Sequence, residues 1–162
     1  MKGKHRSLII ATGHAGILAH EIRLGSTNRL DFASFLKTKW VPSIQNQRER
    51  TRMTLDPLYL VTDNASIHKG RVVEAAVNGT NIHIVYQPAY APTFHATEQV
   101  NAQTKGYPRA MNRKHVSAES QTRVALTNIT RQNVRNHIHF VGRGRKKPTK
   151  ARTFKTREKQ QE

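Results

Sequence analysis

Asp63 follows the apolar run Leu58-Tyr59-Leu60-Val61 and Thr62, and Glu98 stands further on, with 34 residues between the two carboxylates. Residues 1–141 hold only eight acids against nineteen Lys and Arg. A basic chain that keeps a carboxylate at the end of an apolar strand needs a reason for it, because burying an unpaired charge is costly. The modest reason is an Asx turn, in which the Asp63 side chain accepts backbone N–H bonds and starts the next turn. The more demanding one is chemistry at a strand end, supported by the polar residues of Asp63-Asn64-Ala65-Ser66-Ile67-His68-Lys69. His68 itself reads either as a group that orients this turn or as a capping or core histidine. His137-Ile138-His139 has ligand-type side chains, but no cysteine and no nearby acid accompanies it, so it reads as ordinary helix or strand.

The elements that must hold these groups follow from periodicity. Leu8–Thr12 and Ile17–Leu24, joined across Gly13-His14-Ala15-Gly16, predict a β-hairpin. Gly25-Ser26-Thr27-Asn28 is a turn rich in helix-capping types, and Leu30, Phe32, Ala33, Phe35, Leu36 and Trp40 repeat at helical spacing over about Arg29–Trp40. Gln45–Arg52 is polar and charged and reads as a loop. Leu58–Val61 predicts a fully buried strand, Arg71–Val77 a short helix ended by Asn78-Gly79, and Ile82–Tyr86 a second strand closed by Gln87-Pro88. Pro88 and Pro92 fix φ in a rigid loop. Helical propensity returns from Phe94 to about Gln103, and Ala118–Val141 predicts one or two helices. Strands alternating with helices indicate an α/β sheet covered by helices, with sites at the C-terminal ends of strands.

Composition narrows the partners. The chain has 162 residues, no cysteine, and 28 Lys and Arg against 10 Asp and Glu, for a net charge of +18. One domain is expected at that length, and the lack of cysteine excludes a disulfide framework or a thiolate metal site. No apolar run approaches the roughly 18–20 residues of a membrane span. The apolar stretch Leu8–Ala11 after the basic Met1–Arg6 is shorter than the ~7–15 residues of a secretory h-region. The expectation is a soluble intracellular protein with no membrane partner. Its charge makes a polyanion the default partner, since neutralised phosphates release counterions. Residues 142–162 carry a net +7 and residues 1–141 a net +11, so body and tail are both basic. The stretch 142–148 lacks apolar periodicity and predicts a disordered arm, dividing the chain into a domain over 1–141 and a tail over 142–162. Lys69, Arg71, Lys105, Arg143, Arg145, Lys146 and Lys147 are the candidate nucleic-acid contacts. Composition alone also fits a structural RNA- or ribosome-associated protein, a reading that leaves Asp63, Glu98 and the proline loop unexplained.

In Asp63-Asn64-x-x-x-His68, and in Gln87-Pro88-Ala89-Tyr90-Ala91-Pro92-Thr93-Phe94-His95-Ala96-Thr97-Glu98, the chain resembles the DDE superfamily endonuclease domain of mariner-type transposases. The likeness extends from about Ser7 to Arg143. It implies an α/β, RNase H-like mixed sheet flanked by helices, and the chemistry of DNA integration and transposition. Asp63 and Glu98 match the second and third catalytic acids, which in the family come from a strand end and a helix and converge on Mg2+ or Mn2+, ions that prefer oxygen ligands. Two such ions stabilise the attacking and leaving oxygens of an in-line phosphoryl transfer. By resemblance Asp63 bridges the metals and Glu98 binds one of them, while Asn64, His68 and His95 orient these ligands. The implied place of action is the nucleus of a eukaryotic cell, or otherwise the cytoplasm.

The chain also departs from the family pattern. The first catalytic Asp of the family lies on a central strand ahead of the hairpin, and Met1–Arg6 already approaches the hairpin. Asp31, in a first helical turn, and Glu21, on the hairpin, do not stand in for it. His95 replaces an Asn and Ala96 a Pro beside Glu98; loss of such neighbours typically lowers metal affinity or activity by about 10–100-fold. The expectation is a partial domain lacking the first central strand, which binds DNA backbone non-specifically and is inactive alone. Completed upstream or in trans, it becomes a metal-dependent endonuclease and strand transferase. Open sheet edges left by the absent strand invite self-association or pairing with a full-length transposase.

Overall fold

Ile9 and Ala11 alternate with Ile10 along the first apolar run, which suits a strand covered on both faces. In the computed structural model, which describes residues 5–52, 57–87, 96–110 and 116–143, this run forms β1 (Arg6–Gly13). It pairs antiparallel with β2 (Gly16–Leu24), Leu8 opposite Ile22 and Ile10 opposite His20, with a register shift at Ala11/Thr12. Gly16 closes the hairpin with φ +109°, a conformation that disfavours other residues, and a Cβ there would meet the Arg131 backbone at 3.4 Å.

Asn28 then starts α1 (Arg29–Phe35) through a reciprocal capping box with Asp31. The helix does not stop at Trp40. Leu36–Trp40 forms a π-helical turn, in which the Val41 N–H reaches back to the Leu36 carbonyl, and α2 (Val41–Thr51) follows. The wider turn lets Pro42 enter at the start of a new helical segment, where its missing N–H does least harm. Gln45–Arg52, expected as a loop, is therefore helix up to Thr51. Only Val41 and Ile44 of α2 are buried, Ser43 Oγ donates to the Leu18 carbonyl at 2.6 Å, and the remaining exposed Gln, Arg and Glu residues are good helix formers.

β3 (Leu58–Thr62) and β4 (Ile82–Tyr86) pair in parallel, Leu58 opposite Ile82 and Thr62 opposite Tyr86. A 3-10 turn at Ser66–His68 and α3 (Arg71–Val77) connect them. β3 is half-buried rather than fully buried: Tyr59 is 62% and Val61 49% exposed, since the face away from the helices is left open. Three further helices complete the described chain. α4 (Ala96–Ala110) continues beyond the expected Gln103, and α5 (Ala118–Asn128) and α6 (Arg131–Arg143) resolve the expected one or two helices into two. None of the described helices is long and apolar enough to cross a membrane.

Two apolar clusters hold these elements. The larger joins Ile9 and Ala11 of β1 to Phe32, Phe35, Leu36 and Trp40, and to Val73, Val77 and Ile82. The smaller joins Val100, Ile129 and Val134 to Ile10, Ile17 and Ile138. The hairpin thus lies between two helical layers, α1 to α3 on one face and α4 to α6 on the other. Among the described residues the strands make two two-stranded sheets, β1–β2 and β3–β4, so each strand pairs on one side only.

Candidate functional site

β3 ends on Thr62, which is buried, and hands the chain to Asp63. Asp63 Oδ1 accepts the Ala65 N–H at 3.0 Å, which is the Asx turn foreseen for this position. The 3-10 turn then brings His68 back, so that its Nδ1 lies 2.6 Å from the same Oδ1 and 2.8 Å from Thr62 Oγ1. An ionised carboxylate only accepts, so Nδ1 carries the proton. The Asp63 side chain is 57% exposed, against the burial expected of it, because the turn carries it out of the strand into solvent.

Several groups hold the imidazole in place. The Phe32 ring lies 4.4 Å from that of His68, centroid to centroid. Arg29 Nε and Nη2 donate to the Ser66 carbonyl at 3.2 and 3.0 Å, tying the start of α1 to the 3-10 turn. Tyr86 Oη donates to the His68 carbonyl at 3.1 Å. Burial first, and then the negative charge of Glu74, hold the Tyr86 phenol above its ordinary range, so it remains a donor into alkaline pH. Lys69 Nζ sits 5.8 Å from the Tyr86 ring centre, within cation–π reach.

Glu98 enters from the other helical layer. It is exposed in the first turn of α4, whose start is set by Thr97 Oγ1, 3.4 Å from Thr12 Oγ1, and by Val100, fully buried against Ile10 and Ile17. Among the described residues, no three His, Asp or Glu side chains gather closely enough to hold a metal ion together. The donors suit Mg2+ or Mn2+ in kind: both are exposed carboxylates, and such ions keep several waters or phosphate oxygens beside one or two carboxylates. Glu21 and Asp31 are committed elsewhere, both to Arg23, and Glu21 also to Lys39 at 3.2 Å.

The remaining candidates scatter. Asn64 is exposed in the turn itself, Arg71 opens α3 just beyond it, and Lys105 is exposed on α4. Arg143 closes α6, while His95, Arg145, Lys146, Lys147 and the loop containing Pro88 and Pro92 lie outside the described residues. His137 bonds Gln103 at 3.0 Å and His139 meets His14 edge-on at 6.5 Å, so both are ordinary helix residues. Sequence reasoning missed Thr62, Phe32, Tyr86 and Arg29. Adjacency to Asp63 at a strand end could have flagged Thr62, whereas the part played by Arg29 and Phe32 depends on how α1 packs over the turn.

A model of the DDE superfamily endonuclease domain matches residues 1–122. No curated protein sequence gives a significant match. Among solved structures the chain is similar to the catalytic domain of Mos1 mariner transposase (18% identity, TM-score 0.68, covering 84% of this chain and 68% of that one). It is similar as well to that catalytic domain with raltegravir and Mg (18%, TM-score 0.69, 84% and 69%). A third likeness is to the pre-cleavage Mos1 transpososome (17%, TM-score 0.71, 88% and 42%). The chain thus spans about two thirds of the isolated catalytic domain and two fifths of the chain in the assembled complex. What is shared at these identities is the fold, the mixed α/β arrangement of an RNase H-like catalytic domain.

Proposed function

The chain belongs to the DDE superfamily endonuclease family, and we propose that it is catalytic-core sequence of a mariner-type transposase, binding DNA through its phosphates and contributing Asp63 and Glu98 to a Mg2+ or Mn2+ site. The observation that carries this reading is the Asp63 turn. An exposed carboxylate at the end of a strand, held by His68 and Ala65, is a pre-oriented oxygen ligand in a chain of net charge +18. A divalent ion bound there supplies stabilisation of the charge that develops on phosphoryl oxygens. The residues of this chain have separate parts. Asp63 offers its carboxylate, His68 and Thr62 fix its direction, Asn64 and His95 flank the two acids, and Glu98 brings the second carboxylate from α4. Lys69, Arg71, Lys105 and the basic stretch from Arg143 through Arg145, Lys146 and Lys147 attract the DNA backbone. DNA is then the partner wherever the protein works, in the nucleus of a eukaryotic cell or in the cytoplasm otherwise.

The family uses a third carboxylate, and among the described residues no three His, Asp or Glu gather at one ion site, so in this reading the further acid is supplied by a segment or a chain beyond the described residues. Among the described residues β1 and β3 each pair on one side only, which supports supply of that acid on an added strand. These 162 residues by themselves are accordingly expected to bind DNA without cutting or joining it. The test is Mn2+-dependent nicking of supercoiled plasmid by the wild type, Asp63→Ala and Glu98→Ala. We expect salt-sensitive DNA binding from all three and no nicking above background. Robust nicking abolished by Asp63→Ala would overturn the inactivity, and failure to bind DNA would overturn the whole reading.

A further inference from the structure

A groove of about 490 Å3 runs between α1 and α3, and of the residues given a part in the proposed function only Arg71 lines it. Its walls are largely apolar: Leu30 and Ala33 from α1, Val72 and Ala76 from α3. Leu30 is 65% and Val72 46% exposed, although Val73 and Val77 of the same short helix are buried in the core. The charged side chains that line the groove are Lys37 and Arg71, and no carboxylate lines it.

We propose that this groove docks an amphipathic helix of a partner protein whose apolar residues, at i, i+3 or i+4, and i+7, are flanked by Asp or Glu. The small Ala75 and Ala76 let a helix backbone approach closely, and Leu30 and Val72 give it apolar area to cover, which is the helix-in-groove mode of recognition. From Leu30 to Thr38 the α1 side spans about 12 Å at 1.5 Å per residue, room for two to three helical turns. Charge selects the occupant. Lys37 and Arg71 favour acidic flanks, whereas a second copy of this chain carries a net +18 and offers 28 Lys and Arg against 10 Asp and Glu. A DNA backbone would satisfy the two cations and leave Leu30 and Val72 uncovered, so the apolar walls favour protein over nucleic acid.

The probe is a fluorescein-labelled peptide of about 14 residues, long enough for the groove at 1.5 Å per residue, with Leu in the helical pattern and Glu elsewhere. A scrambled peptide of the same composition serves as control. Anisotropy with the full chain is read at about 0.3 M salt, where non-specific attraction between exposed charges is screened. We expect the patterned peptide to bind at least about tenfold more tightly than the scrambled one, a difference of about 1.4 kcal/mol. Val72→Glu and Ser34→Trp, both at exposed lining positions, are each expected to remove that advantage while circular dichroism stays unchanged. Equal binding of the two peptides, or an advantage that survives both substitutions, would overturn the proposal. So would displacement of the peptide by a DNA duplex whose own binding depends on Lys37, which would reassign the groove to nucleic acid.

Discussion

Nδ1 of His68 lies 2.6 Å from Oδ1 of Asp63, and the same nitrogen lies 2.8 Å from Thr62 Oγ1. One edge of an imidazole therefore ties the strand end, the carboxylate and the 3-10 turn together. Asparagine can place an N–H donor close to Nδ1, whereas alanine supplies none. His68→Ala should lose about 1–2 kcal/mol of stability, from a bond to a charged acceptor and the contact with Phe32. His68→Asn should recover roughly half of that loss. Urea unfolding midpoints check the order, and an unchanged midpoint in His68→Ala would show that the bond contributes nothing.

Glu21 gives the hairpin a pH dependence. Burial alone pushes its carboxyl up, but the hydrogen bonds and charges of Arg23 and Lys39 together outweigh burial and hold it below its ordinary value of 4.5. A lowered carboxylate contributes stability that is complete above the ordinary value and is lost as pH falls through the lower, folded-state value. The melting temperature of the wild type should therefore drop more between about pH 5 and about pH 3 than that of Glu21→Gln. Parallel curves for the two proteins would contradict this.

Phe35 is 1% exposed at the centre of the larger cluster. Phe35→Ala should cost about 3–5 kcal/mol, the transfer of a ring plus the cavity it leaves. That is a large share of the roughly 5–15 kcal/mol available to a domain. Calorimetry should show a lower and broader transition; a loss below about 1 kcal/mol would mean that the site collapses around the missing ring.

Charge in the last 21 residues should be felt by DNA without regard to sequence. Replacing Arg145, Lys146 and Lys147 by Ala should weaken binding to unrelated duplexes alike. It should also flatten the slope of log K against log salt by about 2–3, at roughly 0.9 per phosphate neutralised. Anisotropy across a salt series reads both effects. A loss confined to one duplex sequence would mean base readout instead.

Much of this architecture is legible in the residue order because local signals agree with one another. Asn28 followed by Asp31 announces a helix start, and the spacing of Phe32, Phe35, Leu36 and Trp40 gives its buried face. Gln45–Arg52 is not legible as helix, because only Val41 and Ile44 of that helix touch the core, and a polar helix looks like a loop when its anchor lies upstream. The Asx turn of Asp63 is readable from residue type. Its exposure is not, since that depends on the open face of β3, where Tyr59 and Val61 are uncovered. Arg29 carries no signal at all until α1 is seen lying over Ser66.

The central claim is that Asp63 and Glu98 share a divalent ion, and paramagnetic broadening of backbone amide signals by Mn2+ tests it most directly. At the same substoichiometric Mn2+, signals from the turn 63–68 and from the first turn of α4 should broaden together, and Asp63→Asn should abolish both effects. Broadening confined to one of the two regions, or broadening around Glu98 that persists without the Asp63 carboxylate, would contradict the account.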